Sequence, residues 1–203
     1  MCIRDSVNTD HARKVEKLGA DALIAVNSNA GGHRGIFPAE KLVPLLRKQC
    51  SLPIISAGGV GNSEGYQKVM ELDVLGLSVG SPFIATTESD VNEAYKQACV
   101  DYGKEDIIVT RKISGTPCTV INTPYMKELG NEENFIEKIL NKNKTLKKYV
   151  KMFVFKRGMN WLSKAAFSAS YKSIWCAGPS IEYVNDICSV QDIVNRLVEE
   201  KNK

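Results

Sequence analysis

The chain has 203 residues, 43% of them hydrophobic and 25% charged, which is the balance of an ordinary soluble globular protein. That composition excludes wholesale disorder, a collagen-like repeat and a disulfide miniprotein, and no apolar run nears the roughly 20 residues of a bilayer span. Net charge is +4, too small an excess to imply nucleic acid by itself.

Six cysteines, Cys2, Cys50, Cys99, Cys118, Cys176 and Cys188, are scattered with no C-x-x-C pair and no neighbouring histidine cluster. Such spacing argues against a metal site and a secreted disulfide framework, and for a reduced, cytoplasmic protein.

Residues 1–6 show no periodicity and run abruptly into a helix signal, which marks them as a non-native or truncation junction. Thr9 or Asp10 caps that helix, Ala12, Val15 and Leu18 give its apolar spacing, and Gly19 ends it. Ala22–Val26 is a short apolar run suited to a strand buried on both faces. A glycine-bearing loop, 27–38, leads to a helix over 39–48 with Leu42, Leu45 and Leu46 inward. Pro53–Ala57 is a second buried strand, and Asn62 or Ser63 caps the helix that follows. A third strand spans 74–79, a helix 88–102, and a fourth strand 107–110. Successive strand–helix units without in/out alternation predict a parallel sheet with helical crossovers, either doubly wound or a barrel.

After Pro124 the pattern changes. Residues 134–151 read as an amphipathic helix, Gly158 interrupts, a second helical stretch runs to about Ser170, and 173–177 is extended. Residues 189–200 form a last amphipathic helix with Val190, Ile193, Val194 and Leu197 inward.

Ligands of parallel α/β folds bind at the carboxyl ends of strands, and three such ends carry glycine here. Gly58, Gly59 and Gly61 follow the second strand; Gly80 and Ser81 follow the third. Glycine admits close backbone approach, and a following helix N-terminus attracts anions, so the two loops suit a phosphate cradle. The alternative is that these glycines simply end strands. The third loop, Ala30-Gly31-Gly32-His33-Arg34-Gly35, sets an imidazole beyond the first strand. His33 is therefore either a general base at the mouth of the fold or a histidine bonded to its own loop. His11, on the first helix, faces solvent or packs there. No Ser-His-acid arrangement is evident.

The Gly19–Ile24 run, Ala30–Gly35, Pro53–Val60, Gly76–Phe83 and the Glu88-Ser89 pair together resemble the nitronate monooxygenase (2-nitropropane dioxygenase) family of flavin barrels. Tyr95-Lys96, Arg111, Ser114-Gly115 and Trp175–Ser180 fit the same pattern. The resemblance implies FMN as cofactor, His33 as catalytic base, Gly58, Gly59, Gly80 and Ser81 at the FMN phosphate, and Gly31 and Gly32 against the flavin. It implies a small nitronate or nitroalkane substrate oxidised with O2; the absence of a metal rests on the cysteine spacing above. Relatives commonly carry Gly-Thr-Arg-Phe where this chain has Gly80-Ser81-Pro82-Phe83; serine keeps a hydroxyl, whereas proline removes one N–H. Arg34 either favours an anionic ligand or makes a surface salt bridge.

An eight-stranded barrel ordinarily takes about 250 residues. The expected architecture is thus a partial (β/α)8 TIM barrel, its C-terminal half, over residues 7–123, with a helical insertion or lid over 124–172 and a closing segment and helix over 173–203. Eight basic residues and no acidic one lie between Lys138 and Arg157. This segment reads first as a lid with solvated lysines, ahead of a membrane-resting helix or a nucleic-acid patch. A homo-oligomer is possible for a chain exposing barrel surface. Two other functions are consistent with the pattern: the related FMN- and NAD(P)H-dependent enoyl-[acyl-carrier-protein] reductase, and an inactive fragment without a complete flavin site.

Overall fold

The computed structural model describes residues 3–6, 8–113, 116–130 and 174–199. Four parallel strands run side by side in the order β1 (Ile3–Ser6), β2 (Ala22–Val26), β4 (Ile54–Ala57), β5 (Gly76–Ser78). Register aligns Leu23 with Ile54, Val26 with Ala57, and Ala57 in turn with Ser78, so the carboxyl ends of β2, β4 and β5 lie level. Between the strands stand helices α1 (Thr9–Lys17), α2 (Ala39–Arg47) and α3 (Ser63–Met70). This is the parallel α/β arrangement the apolar runs predict.

The sheet's helix-facing side supplies the main core. Leu23, Ala25 and Ile54 are wholly buried against Leu42, Val43 and Leu46 of α2, with Ala12 and Val15 of α1 beside them. The closing helix α7 (Val190–Val198) adds Ile193 and Leu197 to the same cluster. Burying one such aliphatic side chain is worth roughly 1.5–3 kcal/mol, so this face dominates the stability of the sheet.

Several local expectations are corrected. Residues 3–6 form a strand paired with β2, Ile3 opposite Ala22 and Ser6 opposite Ala25, despite lacking periodicity. Asn8 caps α1, its Oδ1 accepting from the His11 N–H at 2.9 Å, in place of Thr9 or Asp10. Leu18 stands past the helix end and is 74% exposed; on α2 it is Val43, not the half-buried Leu45, that reaches the core. On α7 only Ile193 and Leu197 are buried, and Val190 and Val194 lie at the exposed rim.

The helix expected over 88–102 starts later, as α5 (Glu93–Asp101) capped by Asn92, and a separate short helix α4 (Ser81–Ile84) precedes it. Glu88 serves a different helix. Its carboxylate accepts the Val190 N–H at 3.0 and 3.1 Å and the Thr87 hydroxyl at 2.8 Å, and so stabilises the N-terminus of α7. Ser189 and Asp192 complete that end as a reciprocal capping box.

The largest correction concerns the fourth strand. β6 (Ile107–Thr110) does not join the parallel sheet; it pairs antiparallel with β7 (Cys118–Ile121), which in turn pairs antiparallel with β3 (Gly32–His33). Seven residues, 111–117, connect β6 to β7, too few for a parallel crossover but ample for a hairpin. The segment 174–177 runs extended beside β7, tied by the Ile121 N–H to the Trp175 carbonyl at 2.9 Å.

Of the insertion expected over 124–172, the described part is helix α6 (Pro124–Leu129), capped by Thr123. The helices expected over 134–170, the basic segment and Ser114-Gly115 lie outside the described residues. Among the described residues no helix is long and apolar enough to cross a membrane.

Candidate functional site

The level carboxyl ends of β2, β4 and β5 open into one cleft of about 370 Å³. Its walls include Asn29, Ala30, Gly31 and His33 from the loop after β2, and Gly58, Gly59 and Val60 from the loop after β4. Ser78, Gly80 and Ser81 come from the end of β5, and Cys176 and Ser180 from the late segment. Six of the seven residues singled out from sequence thus meet in one place: Gly31, His33, Gly58, Gly59, Gly80 and Ser81. Gly32 stands off the wall. Its φ of +71° is what requires glycine there, for a Cβ would meet only the Cys176 Cβ at 3.9 Å.

Why these loops hold glycine differs from place to place. A Cβ on Gly58 would lie 2.5 Å from the Ala30 backbone, and its φ is +106°. One on Gly31 would lie 2.8 Å from the Gly178 nitrogen and 2.9 Å from Ser81 Oγ. These glycines let the loops interlock with one another. Gly80 is different: a Cβ there would meet nothing within 4 Å, so its backbone borders open space.

Ser81 is buried, and its Oγ accepts the Gly178 N–H at 2.8 Å, which joins the β5 loop to the late segment. The hydroxyl keeps its own O–H to donate.

Asn27, which the motif reading passes over, ties the first two loops. It is 1% exposed; its Nδ2 donates to the Gly58 carbonyl at 2.9 Å and its Oδ1 accepts the Asn29 N–H at 2.8 Å. A polar residue at the end of an apolar strand is the signal that marks it. Ser180 also lines the cleft and Gly178 bonds Ser81 of its wall, and only their place in the Trp175–Ser180 run hinted at it.

His33 is held from behind. It pairs with Cys118 across β3 and β7, and the Thr119 hydroxyl donates to the carbonyls of Ala30 and Gly32, the latter at 3.1 Å. Partial burial against the cleft wall lowers the imidazole below the ordinary histidine value, so the neutral, proton-accepting form is favoured. Among the described residues Arg34 makes no salt bridge: its Nη1 donates to the Ser28 carbonyl at 2.8 Å and its backbone N–H to the Pro117 carbonyl. His11 is exposed on α1, as expected. Among the described residues no cluster of three metal-ligating side chains occurs.

A glycine-lined cleft at the carboxyl ends of parallel strands, with an imidazole on its wall, stands where α/β enzymes bind their ligands. Comparison with known proteins narrows the class. The family model described as nitronate monooxygenase matches residues 2–200, and the chain belongs to that family of flavin oxidoreductases. It is 31% identical over 144 residues to a probable nitronate monooxygenase of Staphylococcus aureus, and 30% identical over 154 residues to a hydroxy-methyl-oxo-octahydroindene-carboxyl-CoA dehydrogenase of Rhodococcus jostii. These matches cover 66% and 74% of this chain and 41% of each relative, so the chain spans about two-fifths of their length.

Among solved structures, FabK of Thermotoga maritima superposes with a TM-score of 0.77 at 26% identity, over 97% of this chain and 59% of that one. A nitroalkane oxidase of Streptomyces ansochromogenes superposes with a TM-score of 0.68 at 22% identity, over 96% and 55%, and shares the fold.

Proposed function

We propose that the protein works as an FMN-dependent oxidase of alkyl nitronates or nitroalkanes with O2, and that its parallel strands are the C-terminal half of a (β/α)8 barrel. The observation that carries this reading is the position of His33 on the same cleft as the Gly58–Gly59 and Gly80–Ser81 loops. The cleft's volume lies within the range of cofactor pockets, and the open space at Gly80 suits a group that a side chain there would displace. Gly58, Gly59, Gly80 and Ser81 would hold the phosphate, and Gly31 and Gly32 would lie toward the ring system. FMN, when bound, supplies the electron transfer to oxygen.

The protein's own part is to position and deprotonate. The glycine loops fix the cofactor side of the cleft, interlocked through Asn27 and Ser81 so that they need no reorganisation when it binds. With a neutral nitroalkane, an imidazole nitrogen of His33 accepts the proton from the carbon bearing the nitro group; a nitronate has already lost it. Its lowered affinity for protons keeps it available for that step at neutral pH.

A second reading, an NAD(P)H-dependent enoyl reductase, is favoured by the similarity to FabK. One experiment separates them. The protein is loaded with FMN, and oxygen uptake is measured with a short nitroalkane and, separately, with its nitronate. The proposal expects flavin-dependent uptake on both, and on the nitroalkane a fall of about 10²–10⁴-fold in His33→Asn, the usual worth of a general base. Bleaching of the flavin by NADH without air, together with no uptake on nitronate, would establish the reductase instead. Protein that stays colourless with excess FMN would leave the inactive-fragment reading.

A further inference from the structure

Two sulfurs meet behind the cleft wall. Cys118 Sγ and Cys176 Sγ are 3.8 Å apart, although the residues are 58 positions apart in the chain. Cys118 is wholly buried on β7; Cys176 is half-buried and lines the cleft. We propose that Cys118 and Cys176 form a redox-active dithiol that hydrogen peroxide entering the cleft converts to an intramolecular disulfide.

The two backbones are bonded to each other through Ile121 and Trp175, and each is anchored further. β7 is fixed between β3 and β6. The Tyr95 hydroxyl donates to the Cys176 carbonyl, and the Tyr95 ring stacks on Trp175 at 5.7 Å between centroids. A disulfide bond is about 2.05 Å long, so the sulfurs must close by about 1.8 Å from their 3.8 Å contact. Rotation about χ1 is the movement by which the two sulfurs would approach. The other described cysteines lack this arrangement: Cys50, Cys99 and Cys188 have no sulfur partner, and burial pushes the Cys99 thiol up to about 12.

The chemistry balances with peroxide alone as oxidant. The S–H of Cys176 stabilises a negative Cys118 sulfur, which lowers that thiol below its ordinary value and lets the pair share one proton. The adjacent Cys118 sulfur and burial hold the Cys176 thiol well above its ordinary value. The Cys118 thiolate therefore takes the Cys176 proton as the Cys176 sulfur attacks peroxide; an S–O bond forms, the O–O bond breaks, and hydroxide leaves and is protonated by solvent. The Cys118 sulfur then attacks the sulfenic sulfur of Cys176, forming S–S and breaking S–O, and the departing hydroxide takes the Cys118 proton as water. In sum two thiols lose two electrons and peroxide becomes two waters. Because Cys118 pairs with His33 and Cys176 lines the cleft, the bond forms in the wall of the site itself.

The test uses the intact chain in Cys188→Ser background, because Cys176 and Cys188 share a tryptic peptide while Cys118 lies on another. Protein is treated with hydrogen peroxide, quenched with catalase, denatured, alkylated and mapped by mass spectrometry. The proposal expects a Cys118–Cys176 cross-linked peptide, lost on dithiothreitol treatment, with Cys50 and Cys99 still fully alkylated. It expects no cross-link in Cys176→Ser or Cys118→Ala, each checked for native circular dichroism. Full alkylation of both cysteines after peroxide, or sulfinic acid at Cys176 without a cross-link, would overturn it. Peptide mapping of the Cys188→Ser chain decides the matter even if a further variant fails to fold, and no step depends on FMN.

Discussion

Asn27 reaches from the end of β2 to the carbonyl of Gly58, at 2.9 Å, and so fastens the first glycine loop to the second. The same amide accepts the N–H of Asn29 at 2.8 Å, and the whole side chain is buried. Asn27→Ala leaves a buried carbonyl and a buried N–H without their partner. We predict a loss of about 1–3 kcal/mol, the cost of such orphaned groups. Urea denaturation checks it; an unchanged midpoint would show that the two loops hold together without the asparagine.

Two glycines of the site should respond differently to the same change. Gly58→Ala forces a Cβ to within 2.5 Å of Ala30 at a φ of +106°, so it should lower stability by about 2 kcal/mol or more. Gly80→Ala meets no atom within 4 Å at a φ of −122°, so its stability should stay within about 0.5 kcal/mol of the parent. If Gly80 borders the bound phosphate, the second variant loses FMN affinity while keeping its melting temperature. Retained affinity in stable Gly80→Ala would remove that loop from the cofactor's contacts.

The imidazole of His33 carries a pH signature. Burial lowers its pKa below 6.5, so the unfolded chain takes up the proton first as pH falls. The stabilisation linked to this group is complete above 6.5 and is lost as pH drops through the lower folded value. The base form likewise persists to pH values where an ordinary histidine is already charged. Imidazole NMR titration, with His33→Asn to assign the signal, should give a midpoint under 6.5. A midpoint at or above that value would contradict the desolvated placement.

Most of the parallel sheet was legible in the sequence because its strands are short apolar runs punctuated by glycine. Ala22–Val26 matches the observed β2 at both ends, and the strand over 53–57 differs from β4 by one residue. The gathering of Gly31, His33, Gly58, Gly59, Gly80 and Ser81 followed from placing each at a strand's carboxyl end. What escaped was non-local. β7 reads as Cys-Thr-Val-Ile, with nothing to say that it would draw β6 out of the parallel sheet. The meeting of Cys118 with Cys176 depends on that same pairing, so spacing along the chain could not reveal it. Glu88 looked like the start of a helix because it is acidic and precedes one, yet it serves α7, 102 residues further on.

The central claim is that three strand ends converge on one FMN with His33 beside it. Titration of the isotopically labelled chain with FMN, followed through backbone amide and imidazole NMR signals, tests it most directly. The account predicts saturable shifts at Gly31, Gly58, Gly59, Gly80 and Ser81 together with the His33 ring, while the amides of α1 on the far side of the sheet stay in place. Saturating FMN that leaves the Gly58–Gly59 and Gly80–Ser81 amides and the His33 ring unmoved would contradict it.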